Sequence, residues 1–143
     1  MNRLLRGVIL SFILIAPALS QVTARECGHS TVADFSPGLV PKANAFLVSL
    51  KAAVRAQNKQ KVAGMIRYPL LINMPKSHKQ IRTIAQFIAE YDRLFTTSVR
   101  KAVEEQRPEC LFANWQGVMI GNGEIWFEEL PKSGMKIKAL NIP

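Results

Sequence analysis

The sequence predicts an α+β protein, with helices first and then an antiparallel sheet whose one face they cover. Three observations carry this. Residues 111–142 alternate apolar and charged side chains between glycine-rich turns, the period of two of a half-buried strand. Upstream, two stretches repeat apolar residues at helical spacing, 41–58 and 84–95. The chain of 143 residues is long enough for one domain with an ordinary core.

Taken in order, the chain begins with Arg3 and Arg6 before an apolar run over 8–19 that Pro17 interrupts. This is the layout of a secretory signal peptide over residues 1–24, cleaved near 20 or 24, which leaves 25–143 as a single domain. The run is shorter than the roughly 20 apolar residues that a membrane span requires; an uncleaved anchor is the competing reading. Arg25-Glu26 before Cys27 does not resemble a lipidation box, so the expected product is periplasmic or secreted, with no membrane span after processing. Residues 26–40, rich in Gly, Ser, Thr and Pro, read as an irregular lead-in. Pro41 suits a first helical turn. Ala43, Phe46, Leu47, Leu50 and Val54 then form the buried stripe of a helix ending near Asn58. A shorter helix carrying Val62, Met65 and Ile66 is expected to stop at Pro69. Residues 70–74 and 79–82 read as two short paired strands. Thr83 and Gln86 match a capping box for a helix that buries Ile84, Phe87, Ile88, Tyr91, Leu94 and Phe95. Thr97 or Ser98 caps a further helix through Gln106, ended by Pro108.

The last stretch reads as three antiparallel strands joined by two short turns. Ile125 and Phe127 point to one face, and Glu124, Trp126 and Glu128 to the other. Gly121-Asn122-Gly123 and Pro131-Lys132-Ser133-Gly134 supply the turns. Beyond them Ile137 and Ala139 alternate with Lys136 and Lys138, which places these lysines near Glu124 and Glu128.

In an oxidising compartment Cys27 and Cys110 most simply form one disulfide, which stabilises by about 4.5 kcal/mol in the chain-entropy model. Two buried free thiols are the alternative. The formal charge is +9. Without Arg3 and Arg6, 17 basic residues face 10 acidic ones, leaving about +7. Such a balance favours an anionic envelope component, a membrane surface or an acidic protein, or else is only a solvated basic surface. The basic clusters at Lys51, Arg55, Lys59 and Lys61, and at Lys76, Lys79 and Arg82, lack interleaved aromatics, so no nucleic acid partner is expected. His29 and His78 are isolated, so neither a metal nor another cofactor is expected. Gly121 and Gly123 lie between two strands, where a hairpin explains them better than a phosphate loop.

The succession of long helix, short helix, "MIRYPL", a strand pair, "IAQFIAEYDRLF", "LFANWQGVMIGNGEIWF" and "MKIKALN" resembles the nuclear transport factor 2-like superfamily, as a small exported bacterial member. The resemblance spans about 40–141 and implies a cone, with a pocket between the long helix and the concave face of a curved antiparallel sheet. Some members of that superfamily are isomerases or dehydratases that use pocket carboxylates, tyrosines or histidines; others only bind. Tyr68, Tyr91, Asp92 and Asn114 are the polar residues nearest the implied pocket walls, with Asp92 as base and a tyrosine as oxyanion donor. None matches an enzyme motif residue by residue, and on a helix Tyr91 and Asp92 diverge by about 100°, which favours a core Tyr91 beside a solvent-facing Asp92 over a shared pocket. Asn114 and Tyr68 are also candidates for binding a small apolar ligand. Trp126, facing out between Glu124 and Glu128, marks an interface. The resemblance implies a homodimer through this outer sheet face; the alternative is a Trp covered by its own chain. The expected function is therefore an exported, non-catalytic domain that binds a ligand or a protein. Its alternatives are an isomerase- or dehydratase-like enzyme and an immunity or inhibitor protein against an exported toxin.

Overall fold

The computed structural model describes residues 24–143. The signal peptide expected at the N-terminus falls outside the described residues, apart from its last residue. Among the described residues no helix is long and apolar enough to cross a membrane.

The lead-in is not irregular. It holds two helical turns, α1 (Ala24–Cys27) and α2 (Val32–Phe35), and a 3-10 turn at Pro37–Leu39. Helices α3 (Val40–Arg55) and α4 (Lys59–Gly64) follow, then strands β1 (Ile66–Met74) and β2 (Ser77–Ile81). Helices α5 (Ile84–Leu94) and α6 (Thr97–Glu105) and a 3-10 turn (Pro108–Cys110) lead into β3 (Phe112–Asn114), β4 (Gly117–Ile120), β5 (Ile125–Leu130) and β6 (Gly134–Asn141). The C-terminal stretch thus makes four strands, not three: the Trp115-Gln116 step is itself a turn.

The six strands of the described residues form one sheet in the order β2-β1-β6-β5-β4-β3. It is mixed rather than antiparallel, because β1 and β6 pair in parallel while every other neighbouring pair is antiparallel. Hairpin turns force the meander to alternate direction. The contact between β1 and β6 joins segments separated by two helices, and no turn constrains it.

The helices cover one sheet face. Phe46 of α3 stacks on Phe127 of β5, ring centroids 4.7 Å apart, within a core that includes Leu47, Leu50, Ile72, Phe87, Ile125 and Leu140. Burying such side chains contributes roughly 1.5–3 kcal/mol each. In α5, Phe87, Tyr91 and Leu94 are buried, but Ile84 at its first position is half exposed. Its capping box is displaced by one residue: the Thr83 hydroxyl accepts the Gln86 N–H (3.1 Å), whereas the Gln86 side chain accepts the Arg82 N–H (2.9 Å). Thr96, not Thr97 or Ser98, caps α6. Pro69 ends no helix. It sits inside β1, beyond the reach of the β2 ladder and in the irregular stretch of the β6 register, where its missing N–H is tolerated.

The Cys27–Cys110 disulfide, with its Cα atoms 5.3 Å apart, ties the lead-in to the segment before β3. The Val32 N–H donates to the Leu111 carbonyl (2.9 Å) and Thr31 bridges to Phe112, so the lead-in clamps the β3 edge of the sheet.

Candidate functional site

The pleat that buries Ile125 and Phe127 leaves Trp126 on the face away from the helices. The cross-strand partners of Trp126 are Met119 and Ala139; Met119 in turn faces Phe112, and Ala139 faces Leu71. One transverse row therefore runs Leu71, Ala139, Trp126, Met119, Phe112 over five strands. Apart from Ala139, these side chains are half-buried. The Phe112 ring meets Trp126 edge-on at 6.2 Å, and His29 packs edge-on against Phe112 at 5.7 Å.

A register shift builds this row. Trp126 pairs with Ala139 and Phe127 with Ile137, so Lys138 is the extra residue of a β-bulge. The simple alternation expected for Ile137 and Ala139 fails at that point. Ala139 turns to the outer face opposite Trp126, and Leu140 takes the core position opposite Ile125.

Trp115 stands at the lip of the same face. The Asn114 side-chain oxygen accepts the Gln116 N–H (2.8 Å), an Asx turn that ends β3. Gly117 restarts the chain at φ +132°, where an added Cβ would lie 2.7 Å from the Phe127 carbonyl oxygen, so only glycine fits. Held at the tip of this turn, Trp115 is 84% exposed. It lines a groove of about 390 Å³ together with Trp126, Asn73, Gln116, Lys138 and Asn141. On its other side it lines a notch of about 160 Å³ with Phe35, Leu39 and Asn114. The sequence reading placed Asn114 and Trp126 among the binding candidates but missed Trp115. The Asn-x-x-Gly spacing over 114–117 is the turn signal that reveals it.

Glu128 anchors the charge on this face. It pairs with Arg67 and accepts a hydrogen bond from Lys138 (3.2 Å), and its cross-strand partner is Lys136. Lys136 donates to the Gly64 carbonyl (2.5 Å). Burial works to raise the Glu128 pKa, but hydrogen bonds from Arg67 and Lys138, and their charges, outweigh it and hold the carboxyl below its ordinary value.

The expected acid–base residues lie elsewhere. The Tyr68 hydroxyl donates to the Ala63 carbonyl (3.2 Å), and burial pushes its pKa up to about 12. Tyr68 lines a depression of about 400 Å³ between α4, the start of α5 and the β5–β6 turn, which neither Tyr91 nor Asp92 lines. Tyr91 is fully buried, stacked on Phe95 at 4.9 Å, and its hydroxyl has no hydrogen-bond partner among the described residues. Burial raises its pKa. Asp92 lies on the surface, bonded to Lys59 (2.7 Å) and more loosely to Arg100 (3.4 Å). The Lys59 hydrogen bond is the main cause that lowers the pKa of its carboxyl. Both cations also lie over the Tyr91 ring, 5.5 and 5.4 Å from its centroid. Tyr91 and Asp92 are therefore parts of a clamp joining α4, α5 and α6. The three residues do not converge on one reacting atom.

No family model matches this chain, and neither a curated protein nor a solved structure matches it significantly.

Chemically, the outer face offers two indoles at a groove, three primary amides beside them, and a lysine. Indoles provide flat apolar area with a polar N–H, and amides both donate and accept. Together these groups can stack on flat apolar surfaces and exchange hydrogen bonds with polar ones.

Proposed function

We propose that this chain is an exported, non-catalytic binding protein, periplasmic or secreted, of the nuclear transport factor 2-like class. In this reading it uses the outer face of its sheet, rather than an interior pocket, to hold an anionic envelope component. One contrast carries the reading. Phe46, Phe87, Ile125 and Phe127 close the space between the long helix and the sheet, while Trp115 and Trp126 line an open groove on the opposite face. The pairing of Cys27 with Cys110 supports an oxidising compartment. The order of helices and strands supports the class, although the mixed sheet departs from the antiparallel one that the resemblance implied.

The test is thermal unfolding of the purified protein, disulfide intact, with soluble fractions of the bacterial envelope. A ligand of the folded state at a hundredfold excess over Kd raises Tm by about 5–10 °C. Trp126→Ala and Trp115→Ala are expected to lose that rise, while Val48→Ser on the exposed side of α3 keeps it. A rise that survives both tryptophan changes overturns the reading. So does turnover of a small molecule that Tyr68→Phe abolishes.

A further inference from the structure

Resting on the outer-face reading, the geometry points to a short saccharide bearing a carboxylate as the occupant of the groove between Trp115 and Trp126. Three observations converge on that chemistry. First, the two indoles line one groove of about 390 Å³, room for about two pyranose rings, whose C–H faces an indole covers.

Second, the polar lining consists of amides, and two of them are already oriented. Asn73 donates to the Asn141 side-chain oxygen (2.8 Å), and Asn141 donates to the Gly123 carbonyl (2.6 Å). This leaves the Asn73 side-chain oxygen as a fixed acceptor and a remaining N–H on each amide as a donor. The Gln116 side chain makes no protein hydrogen bond among the described residues. Fixed groups that both donate and accept suit vicinal hydroxyls. A flat protein partner would instead bury this apolar row beneath a polar rim.

Third, the charged side chain that lines the groove is a cation, Lys138, whose partner Glu128 is also held by Arg67. Because Glu128 also holds Arg67, Lys138 can turn to an incoming carboxylate without leaving Glu128 unpaired. The bulge serves this end, for it brings Ala139 to the outer face opposite Trp126, so that Ala139 and Lys138 both line the groove.

The chain contains two tryptophans, and both line the groove, so intrinsic fluorescence reads the site directly. Trigalacturonate and its neutral methyl ester are titrated into the purified protein, disulfide intact. The acid is expected to change the emission saturably and to bind about tenfold more tightly than the ester. In Lys138→Gln the acid should weaken to the level of the ester, while Tm stays within a few degrees. Trp115→Phe and Trp126→Phe each leave one reporter and should each weaken binding. An emission that neither sugar alters overturns the proposal, as does a preference for the acid that Lys138→Gln preserves. Suppose the saccharides fail while the envelope-induced rise in Tm still depends on Trp126. The outer-face reading then stands with an occupant of another class, such as a protein or a second copy of this chain. If the rise in Tm is also indifferent to Trp126, both readings fall.

Discussion

Trp126 and Phe127 are consecutive residues of β5, and the pleat sends them to opposite faces of one sheet. Phe127 meets Phe46 and disappears into the core; Trp126 meets Met119, Ala139 and Phe112 and stays half-exposed. Both faces carry apolar side chains, but only one is covered by the chain's own helices. A buried aromatic there contributes to stability. An aromatic left at the surface contributes less to folding, and in the proposed reading it offers area to another molecule.

This contrast can be broken or sharpened by mutation. The largest effect is expected for Phe127→Ala, which removes a fully buried ring and leaves a cavity under Phe46. It should cost about 3–5 kcal/mol by chemical denaturation. A loss below about 1 kcal/mol would mean that the helical face is not tightly packed. Next comes the Cys27→Ser, Cys110→Ser pair, which opens a bridge spanning 83 residues. It should cost about 2–4 kcal/mol, and amide exchange should rise first in α2 and β3, which the lead-in joins. Trp126→Ala should cost no more than about 1 kcal/mol of stability, since its side chain lies on the open face. Denaturant midpoints of the two neighbouring mutants, measured side by side, test the contrast directly.

The smallest effect is electrostatic. The Glu128 carboxyl is held below its ordinary value in the folded state, so its contribution is complete above the unfolded pKa, near 4.5. It disappears as pH falls through the lower, folded value. Glu128→Gln should therefore flatten the decline of Tm with acid below about pH 4.5 and change little at neutral pH. A wild-type decline retained in the mutant would assign the acid sensitivity to other carboxylates, such as Asp92 beside Lys59.

The helix stripes and strand faces were legible in the sequence because they are local. Period 3.6 placed Phe46, Leu47 and Leu50 together, and period 2 separated Phe127 from Trp126. The candidate site was only half legible. Trp126 follows from alternation. Trp115 required the Asx turn at Asn114 and the glycine at 117, whose combined effect is to lift an indole away from the sheet. Alternation placed Lys138 near Glu128 but not at the groove, and Asn73 and Asn141 carried no signal. Their proximity is set by a bulge and by a pairing between segments about seventy residues apart, as in Asn73 with Asn141. Periodicity put Tyr91 in the core stripe and turned Asp92 away from it, but nothing local tells that the Tyr68 hydroxyl donates to a carbonyl or that Asp92 meets Lys59 and Arg100.

By itself, then, the sequence determined the long helices and most of the strands, the apolar face of each, and which cysteines are available to pair. These follow from side-chain periodicity and turn chemistry acting over a few residues. The tertiary structure alone decided that β1 lies parallel to β6, that Ala139 and Leu140 exchange the faces alternation would give them, and that two tryptophans share one groove. Each of these depends on which distant segments meet and in what register. Side-chain alternation reads the same whichever neighbour a strand takes and whichever way that neighbour runs.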